Sequence, residues 1–155
     1  GKILDAGCGT GLMAKKLQPF ATRLVGIDLS EKMLEKAAKT KAYDRLEHTE
    51  ITSMQDETFD IIILADVMPY IGNPEPILKW ASEILNPGGL ICLSFEIGNL
   101  EKTWQLSTTA RYQHHPEKLQ EIANNLGFQV KEMLACNLRK QLGEPLKGGI
   151  LSLTN

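Results

Sequence analysis

The chain is poor in cysteine and aromatic residues, and neither sign of charge dominates it. Its three cysteines, Cys8, Cys92 and Cys136, are odd in number, widely spaced and without a C-x-x-C pair. That pattern argues against a disulfide scaffold or a zinc site, leaves no metal to expect, and points to a reducing, cytoplasmic setting. Seventeen Lys and Arg against nineteen Asp and Glu give a formal net charge of −2. With no global basic field to grip a phosphate backbone, nucleic acid is not an expected partner. There is no run of about 18 apolar residues and no signal peptide before the first apolar run, so membrane insertion is not expected. Repeats, linkers and low-complexity stretches are also missing. What remains is 155 residues, 43% hydrophobic and 23% charged, ordinary globular usage and enough for one domain with a real core.

The glycines are placed informatively. Gly7-Cys8-Gly9-Thr10-Gly11 follows the apolar run Ile3-Leu4-Asp5-Ala6 and precedes Leu12-Met13-Ala14-Lys15-Lys16-Leu17, which reads as a helix. The pattern is strand, glycine turn, helix start. Glycine permits positive φ and carries no Cβ, so such a backbone can fold tightly against a nucleotide-like ligand. Asp28 closes a second strand, Arg23-Leu24-Val25-Gly26-Ile27, at the distance where doubly wound folds place a ribose-binding carboxylate. A dinucleotide fingerprint, G-x-G-x-x-G, would need glycine at position 12, where Leu12 stands. Pyrophosphate binding is therefore disfavoured.

Strands and helices alternate from there, which predicts a parallel sheet between helices. Ser30 reads as the N-cap of a helix over Glu31 to Lys39, with Met33, Leu34 and Ala37 on its apolar face. Leu46 to His48 reads as a short third strand leading to Glu50, and Phe59 to Ala65 as a central strand buried on both faces. A helix over Pro76 to Leu85 is expected to turn through Asn86-Pro87-Gly88-Gly89 into a strand from Leu90 to Phe95. A further helix over Pro116 to Leu126 closes at Gly127, and Phe128 to Leu138 and Gly149 to Leu153 read as the last strands, joined by a polar loop.

The segments Ile3 to Gly11 and Val25-Gly26-Ile27-Asp28-Leu29-Ser30 closely resemble motif I and the following acidic motif of the class I, Rossmann-like, S-adenosylmethionine-dependent methyltransferases. Leu85-Asn86-Pro87-Gly88-Gly89 before the fifth strand is a further likeness, and the resemblance spans nearly the whole chain. It implies an α/β fold: a doubly wound, mostly parallel seven-stranded sheet with helices on both faces and an antiparallel C-terminal strand. It also implies S-adenosyl-L-methionine as cofactor. By resemblance, the loop of Gly7, Cys8, Gly9 and Gly11 passes under the methionine part and Asp28 holds the ribose hydroxyls. Asp5 would stand near the ammonium group, or be a buried carboxylate satisfied by loop amides. Leu29 and Met33 would pack on the adenine or in the helix core, and Glu50 would accept the adenine amino group or sit solvated. Ala65 lies where the methyl group would point. Within the family the likeness is to methyltransferases sometimes attached to tetratricopeptide repeats, carried by Tyr43-Asp44-Arg45-Leu46, Ala65-Asp66-Val67, Ala110-Arg111-Tyr112-Gln113-His114 and Leu138-Arg139-Lys140-Gln141-Leu142-Gly143-Glu144-Pro145. Because the family's cap helices precede motif I, residues 1–155 are expected to form a single methyltransferase domain without them.

On the acceptor side, Asp66 is the expected substrate contact, unless it caps the next turn, and His114 the expected base or substrate ligand. Tyr70, Glu96, Arg111 and Tyr112 are its polar neighbours on the rim; Arg111 could bind a substrate carboxylate through its planar fork or serve a structural salt bridge. Asp66-Val67-Met68-Pro69-Tyr70 departs from the Asn-Pro-Pro-Tyr signature of amino-group methylation on nucleobases or glutamine. The expected activity is methyl transfer to a small molecule, or to a protein side chain. The alternatives are a non-catalytic or regulatory S-adenosylmethionine-binding module and, weakened by Leu12, a nicotinamide-dependent oxidoreductase.

Overall fold

The computed structural model describes residues 1–98 and 101–155. Its strands are β1 (Lys2–Ala6), β2 (Arg23–Asp28), β3 (Arg45–His48), β4 (Phe59–Leu64), β5 (Leu85–Ile97), β6 (Trp104–Leu106), β7 (Tyr112–His114), β8 (Gln129–Gln141) and β9 (Glu144–Thr154). The helices are α1 (Ala14–Leu17), α2 (Glu31–Ala38), α3 (Glu75–Ile84) and α4 (Pro116–Asn125). The parallel core runs β3-β2-β1-β4-β5. From β1 the chain steps outward to β3, then returns to the other side of β1 as β4. That reversal opens a crevice at the carboxyl ends of β1 and β4, where open α/β sheets bind ligands.

Residues alternate between two buried faces along these strands. One large apolar cluster joins Leu4, Val25, Ile62 and Leu64 to Ile77, Leu78, Ala81 and Ile84 of α3 and Leu119 and Ala123 of α4. A smaller cluster holds Cys8, Leu34 and Ala37 under α2, with Tyr43 and Leu46 against it. The Ser30 hydroxyl accepts the Met33 amide at 3.3 Å, so the expected cap of α2 is present.

Among the described residues, seven of the nine strands are those expected, and the departures have local causes. The helix after the glycine loop shortens to α1, because Gly11 keeps a positive φ of 82° and a turn continues through Met13. The segment 86–89 does not separate α3 from a strand: β5 begins at Leu85, and its register on β4 jumps from Phe59↔Leu85 to Ile61↔Leu90, with Gly88 at φ 73°. The polar loop expected between the last strands is instead a long hairpin, closed by Leu142 (φ 51°) and Gly143 (φ 81°). Two consecutive positive φ angles match the twist of paired strands. The antiparallel β9 adds to the far edge of β5 from Leu90↔Thr154 to Glu96↔Gly148, and β8 lies outside it. The two additional strands, β6 and β7, form a short hairpin, and β7 pairs with Glu96 and Ile97 in the lane beyond the end of β4. This brings β7 over the crevice.

Candidate active site

The glycine loop is tied down from both ends. The amides of Gly7 and Cys8 donate to the Ile27 carbonyl at 2.8 and 2.9 Å. The Gly9 amide donates to Asp28 Oδ2 at 2.9 Å, and the Ser30 amide donates to Asp28 Oδ1 at 2.8 Å. One carboxylate at the end of β2 therefore joins the loop to the start of α2. Positive φ at Gly7, Gly9 and Gly11 requires glycine there. A Cβ at Gly7 would lie 2.7 Å from Val67 Cγ2, and one at Gly11 3.3 Å from the Ala37 backbone. A Cβ at Gly9 would meet nothing within 4 Å. Gly7 and Gly11 are bare for packing; Gly9 is bare towards open space, a cradle that a ligand can fill.

Behind the loop Asp5 is 2% exposed, and the Tyr43 phenol donates to its Oδ2 at 2.6 Å. The loop amides bond elsewhere, so Tyr43 satisfies Asp5 in their place. Burial pushes the Asp5 carboxyl above its ordinary value, the Tyr43 bond opposes this, and the charge of Asp28 adds to it. Cys8 packs into the small cluster under α2; burial, then the charges of Asp5 and Asp28, push its thiol up to about 12. Such a thiol is inert.

A cleft of about 520 Å³ opens over the crevice, within the range of small-molecule sites. Gly7, Asp28 and Leu29 line one end, Glu50, Ile51 and Thr52 the side after β3, and Asp66, Val67 and Tyr70 the end after β4. Ile71, Asn73, Pro76 and Ile77 complete the wall. Of the expected cofactor residues, Gly7, Asp28, Leu29 and Glu50 thus meet on one cleft, while Cys8 and Gly11 support the loop. Met33 and Ala65 are not part of the wall; Met33 projects from α2, substantially exposed, and Ala65 sits in the turn after β4.

The acceptor side differs from expectation. His114, expected on the rim, is fully buried, because β7 pairs beside the end of β5 and sets the ring against the Met68–Ile71 turn. Its Nε2 lies 2.9 Å from the Ile71 carbonyl and 3.3 Å from that of Met68. Its Nδ1 has no partner among the described residues. Burial lowers its pKa, against the opposing pull of the two carbonyls. His114 therefore clamps β7 to the cleft wall. Tyr112 stands against Gly72 and lines a separate open hollow with Trp104.

The remaining rim residues form a ring of charge. Glu96, 1% exposed, accepts through Oε1 from Arg111 Nε at 2.5 Å and Arg139 Nη2 at 3.0 Å. Asp66, its side chain 61% exposed, accepts through Oδ1 from Arg111 Nη2 at 3.0 Å and Arg139 Nη1 at 3.3 Å. The Arg111 guanidinium also lies 5.5 Å over the Tyr70 ring. Sequence reasoning missed Arg139; its only signal was its place in the Leu138 to Pro145 segment. No cluster of metal-ligating side chains occurs among the described residues, and no helix there is long and apolar enough to cross a membrane.

A family model described as a methyltransferase domain matches residues 4–93, more than half of the chain. The chain belongs to the methyltransferase domain family. This methyltransferase domain is 29% identical over 117 residues to the ubiquinone biosynthesis O-methyltransferase of Idiomarina loihiensis, covering 70% of the chain and 47% of that protein. It is 27% identical to the human mitochondrial ubiquinone biosynthesis O-methyltransferase, covering 86% of the chain and 42% of that protein. The chain thus spans about half the length of the curated relatives it matches. Its fold matches that of the N-methyltransferase NodS from Bradyrhizobium japonicum bound to S-adenosyl-L-homocysteine, with a TM-score of 0.78 and 21% identity over 100% of this chain and 78% of that one. It also matches magnesium protoporphyrin IX methyltransferase from Synechocystis with bound SAM, with a TM-score of 0.76 and 19% identity over 98% of this chain and 68% of that one.

Proposed function

We propose that this domain transfers a methyl group from S-adenosylmethionine to a small-molecule acceptor. The observation that carries the reading is Asp28: it ends β2, lines the cleft and braces the bare Gly9 backbone with the same carboxylate. Each of its oxygens accepts one amide and keeps lone-pair capacity for ribose hydroxyls. Glu50 on the adjoining wall would accept an adenine amino group, Leu29 would cover the ring, and Gly7 and Gly9 let the methionine part lie against bare backbone. When bound, the cofactor supplies a methyl group activated by its sulfonium charge for in-line displacement. The protein's share is then orientation, which supplies on the order of 7–11 kcal/mol when reacting groups are aligned. Val67, Tyr70 and Ile71 wall the acceptor end. His114 is fully buried behind the wall and does not line the cleft, so it does not reach an acceptor as a base and positioning carries the rate.

The ubiquinone biosynthesis O-methyltransferases support a small-molecule acceptor for this domain. The narrower likeness to methyltransferases attached to tetratricopeptide repeats is part of the proposal; the segments behind it contribute Tyr43 to Asp5 and Arg139 to the rim. The free thiols of Cys8, Cys92 and Cys136 suit a reducing, cytoplasmic compartment.

Calorimetric titration with S-adenosylhomocysteine, followed by methyl-labelled S-adenosylmethionine and a panel of phenols, carboxylic acids and amines, tests the reading. Saturable binding and label transfer to a panel member are expected. Absence of binding overturns it, and binding with no transfer across the panel reassigns the domain as a cofactor-binding module.

A further inference from the structure

We infer that the acceptor is an anion, and that Arg111 and Arg139 hold its carboxylate or phosphate in the place now taken by Asp66 Oδ1. This rests on the methyl-transfer reading for what the cleft does, and adds the chemical class of what enters it. The charged ring is unequal in a way that a structural latch does not require. Glu96 is buried and gathers both guanidiniums on one oxygen, which helps aim them independently of Asp66. Asp66 repeats that contact from the solvent side, through one oxygen, at longer distances, from a residue with φ 58°. An exposed, monodentate pair of this kind is worth little, so an incoming oxyanion can displace it at small cost. The guanidinium fork matches carboxylate and phosphate geometry.

The position suits an acceptor. Asp66 and Tyr70 line the cleft, and Arg111 touches both, by an ion pair and by stacking. An oxyanion at the Asp66 Oδ1 position would place the rest of the molecule between Tyr70 and Val67, beside the carboxyl end of β4. The two arginines come from beyond β5 and from β8, so the subsite exists only once β7 has paired with the end of β5 and the β8–β9 hairpin has added to its other edge.

The test uses the whole chain loaded with S-adenosylhomocysteine and titrated with benzoate, phenyl phosphate and neutral benzyl alcohol. At least one anion should bind more tightly than the alcohol, and the stronger of the two identifies carboxylate or phosphate. Arg139→Gln, a change on the surface, should weaken that anion about tenfold or more, the loss expected for one charge-assisted contact. Asp66→Asn should tighten it several-fold, because a competing charge is removed; a latch role predicts no gain. Benzyl alcohol binding as tightly as both anions, or anion affinity unmoved in both variants, overturns the inference. S-adenosylhomocysteine affinity is read separately. Its failure would strike the methyl-transfer reading, while anion titration of the unloaded chain still tests the arginine pair.

Discussion

The phenolic oxygen of Tyr43 lies 2.6 Å from Asp5 Oδ2, a bond that crosses 38 residues of sequence and joins the segment before β3 to the buried end of β1. Tyr43→Phe removes this donor and leaves a buried carboxylate without it, which should cost about 1–3 kcal/mol in urea unfolding at neutral pH. The opposite change is also informative. Burial raises the Asp5 pKa above its ordinary 3.8, so the folded chain favours the protonated form. Its contribution to stability is therefore full below that value and lost as pH rises through the folded value. Asp5→Asn should accordingly exceed the parent in stability at pH 7, with the advantage shrinking towards pH 4. An advantage independent of pH would place the folded Asp5 at its ordinary value.

Asp28→Ala should weaken S-adenosylhomocysteine binding about a hundredfold or more, since two charge-assisted contacts to a ribose are lost. The same carboxylate holds Gly9 and Ser30, so part of this loss comes through the loop. Asp28→Asn separates the two effects: its oxygen can keep the Ser30 amide, while its NH₂ group opposes the Gly9 amide. A thermal melt lowered more in Asp28→Ala than in Asp28→Asn, together with lost affinity in both variants, is the expected pair of results. Unchanged affinity by calorimetry removes the ribose assignment.

How much of this could be seen before the structure depended on distance along the chain. The glycine loop, the Ser30 cap, the apolar run of β4 and the stop at Gly127 are local physics, and all were legible. Glu50 and Asp28 were legible as cleft residues because strand order places strand ends together. The strands β6 and β7 were not, since three residues carry no period and their pairing to Glu96 and Ile97 is set by tertiary contact. The hairpin tip misled because residues 139–147 carry no apolar alternation of period two, and only the Leu142-Gly143 turn marks the pairing. His114 is a histidine on a short strand, where a one-residue shift decides between solvent and core. The charged ring draws residues 66, 96, 111 and 139 together from elements far apart in the chain, so no window of sequence could contain it.

The glycines of the loop should respond differently to alanine. Gly9→Ala carries the left-handed backbone cost of roughly 1–2 kcal/mol but meets no protein atom within 4 Å. The chain should fold, melt slightly earlier and bind S-adenosylhomocysteine poorly, because the new methyl occupies the cradle. Gly7→Ala adds a 2.7 Å approach to Val67 Cγ2 and should lose more stability than Gly9→Ala. Parent-like binding by Gly9→Ala would show that the loop does not touch the cofactor.

His114 gives the molecule a testable acid limit. In the fold its Nε2 donates to the Ile71 carbonyl, its Nδ1 has no partner among the described residues, and burial holds its pKa below the ordinary 6.5. A proton added on Nδ1 would therefore be a buried, unpaired charge. Unfolding frees the ring to take that proton. For a lowered folded pKa, the stabilising contribution is present above 6.5 and is lost as pH falls, by up to about 1.4 kcal/mol for each pH unit between the unfolded and folded values. His114→Gln keeps a donor for Ile71 and does not titrate. It should be less stable than the parent at pH 7.5, with the gap narrowing between pH 6.5 and 5 when urea midpoints are compared. The turn that His114 clamps carries Tyr70 and Ile71 into the cleft, so acceptor binding by the parent should weaken over the same interval and that of the variant should not. Parallel stability curves for the two chains would mean that His114 titrates alike folded and unfolded, and that the clamp does not depend on its neutral form.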